Sequence, residues 1–257
     1  PRETKPLHIS LAEWADIIIV APLSASSLAR WVNGLGDTLL ANVLLASERP
    51  IIAAAAMNTG MWQNPAVKRN WEVLSNYPQI IKLQPSSGLL ACDRIGEGRM
   101  VSNEIIQLAI QSASITKNEK SELKKDFVGL KVLVTAGATI EYIDPARQFS
   151  NKSTGLMGVL IAQAAQLRGA SVDLIYGDLR LPMSLLEGLN AFNISTSKEM
   201  QKVLGELHPF ADVIVMAAAV SDIRKKNLDC QKKIKKENLI KSFQEDLEIV
   251  PDLISEI

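Results

Sequence analysis

Cysteine is nearly missing from this chain: Cys92 and Cys230 are the only two in 257 residues. So few thiols exclude a disulfide framework and point to a reducing compartment, which makes the cytoplasm the expected location. Net charge is missing too. The 28 Lys and Arg balance 28 Asp and Glu, so no global field recruits nucleic acid or an anionic membrane. Long apolar runs are absent. The longest, at 51–57 and 213–220, fall far short of the roughly 20 residues a membrane helix needs. No charged start leads into an apolar stretch and a small-residue cleavage site, as a secretory signal requires. There is no internal repeat, no low-complexity tract and no GxGxxG dinucleotide fingerprint. An initiator methionine is lacking as well: the chain opens PRETKPLHISL and stops at PDLISEI inside a helical pattern, so both ends read as cut.

What is present is enough apolar material for a core, 47% of residues, in a length that suits one large domain or two medium ones. Short apolar runs alternate with helical patterns. Residues 16–21, 50–56 and 79–83 read as strands, the first two apolar on both faces, as in a parallel sheet covered by helices. Residues 24–46 and 65–74 read as helices, the second opening with Asn64-Pro65. The stretch TKNEKSELKKD at 116–126 has no apolar face and reads as a linker. Alternation then restarts, with strands expected at 131–135, 171–176, 191–195 and 212–218. A helix is expected over 155–168, with Met157, Leu160, Ile161, Ala164 and Ala165 on its buried face. The fold class is α/β, two doubly wound parallel sheets.

Open sheets of this kind bind ligands beyond the carboxyl ends of their strands. After the first strand come Ser24, Ala25, Ser26 and Ser27, hydroxyls at a helix start that suit a phosphate or a flavin edge; plain helix capping explains Ser24 equally well. After the second come Met57 and Asn58. After the third comes a long loop, 86–100, with three glycines, expected to be mobile and lid-like. Singly, Asn58 could be a turn residue, Cys92 a small buried hydrophobe and His8 a packing residue. Their convergence on three neighbouring loops is harder to reduce to packing.

The runs HISLAEWADIIIVAP, AAMNTGMWQNPAVKRN and GLLACDRIGEGRM resemble, in order and spacing, the flavin-dependent cysteine decarboxylases, among them phosphopantothenoylcysteine decarboxylases of coenzyme A synthesis. The resemblance covers 7–110 and implies a flavodoxin-like domain, here 1–115, without its first strand and glycine-rich flavin-phosphate loop. It implies FMN held by Ser24, Ala25, Ser26, Ser27 and Met57, and substrate held by Asn58 and Ala91. In its terms His8 is the active-site base, Asn58 binds the substrate carboxylate and Cys92 donates the final proton. That chemistry is coherent. Oxidising the substrate thiol gives the electrons left behind by carbon dioxide a sink, and the product carbon then needs a proton. A neutral amide binds the carboxylate without over-stabilising the ground state. Ala55 stands where the family has proline, and Asp93 where it has glycine; a carboxylate beside Cys92 would favour its protonated form.

From about Leu130 onward, LVTAGATIEYIDPARQFSNKSTGLMGVLIAQ, MAAAVSD and QKKIKKEN resemble the phosphopantothenate–cysteine ligase (synthetase) fused to that decarboxylase in bifunctional bacterial proteins. The resemblance implies a Rossmann-like synthetase domain, here 127–257 and short of its later segments. It implies CTP with Mg2+ or Mn2+, an acyl-cytidylate stabilised by Asn151, and catalysis by Lys233. Met216, Ala217, Ala218, Asp222, Lys233, Pro251, Asp252 and Leu253 are the implied nucleotide contacts. A solvated lysine face and an ordinary loop turn are the plain alternatives for Lys233 and Asn151. Leu156 replaces a family cation and Val250 a family asparagine. The implied substrates are phosphopantothenate, cysteine, CTP and phosphopantothenoylcysteine, and the implied assembly is decarboxylase trimers and synthetase dimers. Two alternatives stay open: a silent flavin-binding subunit and an NAD(P)-dependent Rossmann oxidoreductase. The missing GxGxxG weighs against the second, and the joint presence of His8, Asn58 and Cys92 against the first.

Overall fold

A computed structural model of the chain describes residues 5–89, 95–116, 123, 125–226 and 233–255. The chain divides into two compact units, residues 1–126 and 127–257. Most of the expected linker lies outside the described residues. No helix among the described residues is long and apolar enough to cross a membrane.

The first unit runs α1 (Leu7–Trp14), β1 (Ile18–Leu23), α2 (Ala25–Val32), α3 (Leu39–Ala46), β2 (Ile51–Ala55), α4 (Thr59–Trp62), α5 (Pro65–Val73), β3 (Ile80–Leu83), β4 (Ser86–Leu89), β5 (Ile95–Arg99) and α6 (Asn103–Thr116). Strands β1, β2 and β3 form a parallel sheet in that order. The middle strand, Ile-Ile-Ala-Ala-Ala, is buried along its whole length, as the two-sided apolar run requires. Around it pack Leu23, Leu28, Leu44, Trp31, Trp62 and Trp71. Trp62 and Trp71 meet edge to face at 5.4 Å, the favoured geometry for an aromatic pair. Helix α5 starts as its sequence demands: Asn64 Oδ1 accepts from Ala66 N at 2.9 Å, with Pro65 at the first helical position.

Two expectations for this unit need correction. The single helix over 24–46 is two helices. The break falls where Gly34 takes φ +69° and Thr38 caps a new helix by accepting from Ala41 N. The expected mobile loop at 86–100 has an antiparallel β4–β5 ladder at its base, with Ser87 opposite Glu97 and Gly88 opposite Gly96. Residues 90–94 at its tip lie outside the described residues.

The second unit runs β6 (Lys131–Ala136), β7 (Ile140–Asp144), β8 (Arg147–Ser150), α7 (Leu156–Leu167), β9 (Ser171–Tyr176), β10 (Asn190–Asn193), α8 (Ser197–Leu207), β11 (Val213–Met216), β12 (Ile223–Lys225), α9 (Leu239–Asp246) and β13 (Leu247–Ile249). Its sheet is parallel throughout, in the order β10-β9-β6-β11. The order reverses at β6. One apolar cluster, Leu133, Ile175, Ile194, Met200, Leu204 and Leu253, joins α8 to the sheet. The stretch between β6 and α7, where no strand is expected, contains the antiparallel β7–β8 hairpin.

The expected face of α7 is only partly the buried one: Ala165 is buried and Leu160, Ile161 and Ala164 are half-buried. Met157 is 73% exposed, and the buried residues are Gly158, Val159, Ala162, Gln163 and Ala165. Distance is the reason. A Cβ on Gly158 would stand 2.7 Å from both the Thr135 carbonyl oxygen and the Ala136 Cβ, so only a small side chain fits where α7 meets β6. Met157 is turned outward. Gly158→Ala therefore destabilises the unit by about 1–3 kcal/mol through overpacking, although alanine is the better helix former by about 1 kcal/mol. Denaturant unfolding of the two proteins measures the difference.

Candidate functional site

In the first unit the site is built where β1 and β2 end side by side. Ala56 N donates to Leu23 O at 3.1 Å, which holds the residues after β2 against those after β1. Ser24 lies at that point and caps α2: its Oγ accepts from Ser27 N at 3.2 Å. The capping explanation for Ser24 is thus present in the structure. Ser26 is exposed, and Ala25 N and Ser26 N at the helix start find no acceptor among the described residues. This leaves main-chain donors and a hydroxyl at the positive end of a helix, suited to an anion.

Met57 and Asn58 follow β2. Asn58 caps α4, with Oδ1 accepting from Gly60 N at 2.9 Å. The carboxamide oxygen is thereby fixed, and its donors are on Nδ2. The β4–β5 ladder sits directly on this corner. Met57 N donates to Gly98 O at 2.9 Å. A Cβ on Gly98, at φ +149°, would stand 2.1 Å from Met57 O, and one on Gly96 would stand 2.4 Å from Thr59 Oγ1. Gly98 lets one backbone touch another, and Gly96 makes room for the Thr59 side chain. Ser86, buried, closes the base by donating to Arg99 O and Met100 O.

Ser24, Met57 and Asn58 are therefore brought together. His8 is half-buried on α1, which packs on α3, and its ring makes no hydrogen bond among the described residues. Ala91 and Cys92 lie outside the described residues.

In the second unit the corresponding place is the gap between the carboxyl ends of β6 and β11, where the strand order reverses. Two threonines organise it, and neither stood out in the sequence. Thr135 Oγ1, fully buried, accepts from both Ala217 N and Ala218 N at 3.1 Å, and its hydroxyl points to Met216 Sδ at 3.9 Å. Thr139 Oγ1 accepts from Ser221 N at 2.9 Å. Between them Ala219 N donates to Gly137 O at 2.7 Å. Residues 216–221 thus hang on the turn after β6. Asn151 joins the same place, donating through Nδ2 to Val220 O at 2.9 Å. Asp222, exposed, leads into β12. The β12–β13 ladder and the bond from Val250 N to Asp222 O at 2.9 Å bring Pro251, Asp252 and Leu253 beside it. Asp252 is exposed, whereas Leu253 has its side chain in the core. Val250 is itself buried.

Lys233 is exposed, and its chain neighbour is held tightly. Asp144, 1% exposed, accepts from Ile234 N at 3.1 Å and Arg147 Nη1 at 2.8 Å through Oδ2, and from Ala146 N at 2.8 Å through Oδ1. Burial pushes this carboxyl up, but the N–H groups of Ala146 and Ile234 and the Arg147 guanidinium outweigh it and hold it below the ordinary carboxylate value. Among the described residues no three His, Cys, Asp or Glu side chains gather into a metal site.

A depressed carboxyl contributes stability above its unfolded value and loses it as pH falls through the folded one. For Asp144 that window lies below about pH 3.9. The stability gap between the wild-type chain and Asp144→Asn is therefore full at neutral pH and closes in acid. Urea unfolding at about pH 6 and about pH 3 measures it.

The chain matches two family models: Flavoprotein over residues 1–114, and the DNA/pantothenate metabolism flavoprotein C-terminal domain over residues 127–257. It is 39% identical to the coenzyme A biosynthesis bifunctional protein CoaBC of Bacillus subtilis, over 86% of this chain and 53% of that protein. The CoaBC of Haemophilus influenzae is 37% identical over 97% of this chain and 59% of its own length. The chain thus spans little more than half the length of these relatives. Solved structures similar to it include a PPC decarboxylase mutant complexed with pantothenoylaminoethenethiol, 34% identical at a TM-score of 0.42 over 43% of this chain and 62% of that one. Another is the C-terminal domain of CoaBC, 29% identical at a TM-score of 0.41 over 50% and 57%. With more than half its residues matched by that C-terminal domain model, the chain belongs to the DNA/pantothenate metabolism flavoprotein family.

Proposed function

We propose that this chain carries two steps of coenzyme A synthesis. Residues 127–257, a Rossmann-like synthetase domain, take part in CTP-dependent ligation of phosphopantothenate with cysteine. Residues 1–115, a flavodoxin-like domain, take part in FMN-dependent decarboxylation of the phosphopantothenoylcysteine so formed. The observation that carries the reading is the convergence of Ser24–Ser27 and Met57–Asn58 at adjoining strand ends, under a hairpin that touches Met57. It falls within the stretch matched by the flavoprotein family.

The first site fits a flavin phosphate or ring edge, because Ala25 N, Ser26 N and the Ser26 hydroxyl stand open at a helix start. Ser24, Ala25, Ser26, Ser27 and Met57 would hold FMN, which when bound supplies two-electron chemistry, accepting electrons from the substrate thiol and returning them once carbon dioxide has left. The chain's own residues do the rest. Asn58 donates to the departing carboxylate and orients it, its other amide atom being fixed on Gly60 N. His8 serves as base, and Cys92 gives a proton to the product carbon.

In the second unit Met216, Ala217, Ala218, Asp222, Pro251, Asp252 and the Leu253 main chain form the CTP side of the crevice, Asn151 steadies the activated carboxyl and Lys233 faces phosphate charge. Because no acidic cluster forms among the described residues, a Mg2+ or Mn2+ ion would arrive on the nucleotide phosphates. Assembly into trimers and dimers belongs to the same proposal. The exposed Leu7 and Trp14 on α1, and Leu39, Leu40 and Leu45 on α3, supply apolar surface for it.

The test is direct. Purified chain mixed with FMN and passed through a desalting column keeps a flavin absorbance band and releases carbon dioxide from phosphopantothenoylcysteine. Asn58→Ala keeps the band but loses about 100-fold in turnover, the scale for losing oriented binding of a reacting group. A colourless chain after desalting contradicts the reading.

A further inference from the structure

We propose that Asp144 is a positioning residue: it clasps the main chain beside Lys233 and ties that lysine to the hairpin that carries Asn151. The inference rests on the reading of Lys233 as a ligation residue and goes beyond it, because Asp144 itself is buried and touches neither nucleotide nor substrate.

The geometry is a closed ring. Asp144 ends β7 and Arg147 begins β8, so the pair forms the tip of the hairpin. Asp144 Oδ1 fixes the turn through Ala146 N, and Oδ2 reaches across to Ile234 N at 3.1 Å. Arg147 Nη1 bonds the same Oδ2 at 2.8 Å and closes the ring by donating to Ile234 O at 3.2 Å. Both main-chain polar groups of Ile234 are therefore gripped, ninety residues from Asp144 in sequence. A second tie lies further along, where Phe149 on β8 packs against Phe243 on α9 at 5.5 Å. The other end of the hairpin is anchored at the crevice, by Ser150 Oγ to Thr139 O at 3.0 Å and Asn151 Nδ2 to Val220 O at 2.9 Å. The hairpin thus leads into Asn151 at one end and grips the main chain next to Lys233 at the other.

Only a carboxylate completes this ring. Asp144 accepts on both oxygens; in an asparagine one oxygen becomes an NH2 group that cannot accept, so a buried donor faces another donor. A charge placed at 1% exposure with three hydrogen-bond donors around it costs more than a surface carboxylate. An ordinary turn needs no such group, because an exposed Asp or Asn closes one as well.

The experiment uses the full chain, with trypsin and acetic anhydride as probes. In wild type, Mg2+–CTP shields Lys233 from acetylation, read by mass spectrometry, and cleavage after Lys235 is slow. In Asp144→Asn the shielding is lost and cleavage after Lys235 speeds up about tenfold, the scale of one unmade buried hydrogen bond, while the flavin band of the first unit is unchanged. Ile234→Pro, which removes the N–H from the other side without touching Asp144, gives the same result. The double variant is no worse than either single one, because both break one ring. Wild-type shielding and cleavage in Asp144→Asn overturn the proposal. If CTP fails to shield Lys233 even in wild type, but cleavage still accelerates in both variants, the clasp stands and the ligation reading of Lys233 falls.

Discussion

Every parallel strand that ends at a crevice leaves main-chain donors and acceptors beyond the reach of its ladder, and buried ones must still be paired. This requirement shapes both units. In the first, β2 runs out at Ala55, and the next amides are met by Leu23 O and Gly98 O. In the second, β11 runs out at Met216, and the next amides are met by the hydroxyl of Thr135, the carbonyl of Gly137 and the hydroxyl of Thr139. The strand ends are finished by side chains and by main chain from elsewhere, and the residues at the crevice are set by that finishing.

The same requirement explains why apparently flexible sequence is held. Gly96 and Gly98 read as loosening residues, yet their missing side chains let β5 lie on the Thr59 side chain and on the backbone of Met57 and Thr59. The long insertion after β6 reads as a loop, yet Asp144, Ser150 and Asn151 tie it at tip and base. Polar groups that converge on fixed main chain are pre-organised for binding, so little ordering cost falls on the ligand. Charge follows the same layout: Asp144 is held ionised by donors on both its oxygens.

Much of this was legible in the sequence, and the rest was hidden for identifiable reasons. Strand β2 and helix α5 follow from local chemistry, a two-sided apolar run and an Asn-Pro start, and they formed as read. Strand β9 likewise spans the expected residues. The buried face of α7 followed only in part, because helix periodicity cannot see that Gly158 must press against Thr135 O. The two hairpins were hidden by glycine, proline and polar residues that mark turns whether or not strands flank them. Among the proposed site residues, Asn58 was read from its place at a strand end, and Asn151 and the 216–218 segment from the family resemblance. Thr135 was missed because threonine is an ordinary strand former and KVLVTA reads as a plain strand. Asp144 was missed because Asp-Pro reads as a turn. The signal available for both was a polar residue at or next to the end of a strand.

The account turns on the claim that a hydroxyl, not the sheet ladder, secures the segment after β11. Thr135→Val keeps the shape and removes that acceptor, and amide hydrogen exchange reads the result residue by residue. The account predicts that Ala217 and Ala218 amides exchange at least about tenfold faster, from a loss of roughly 1–3 kcal/mol per unpaired buried donor, with the amides of β9 unchanged. Unaltered exchange at Ala217 and Ala218 would contradict it.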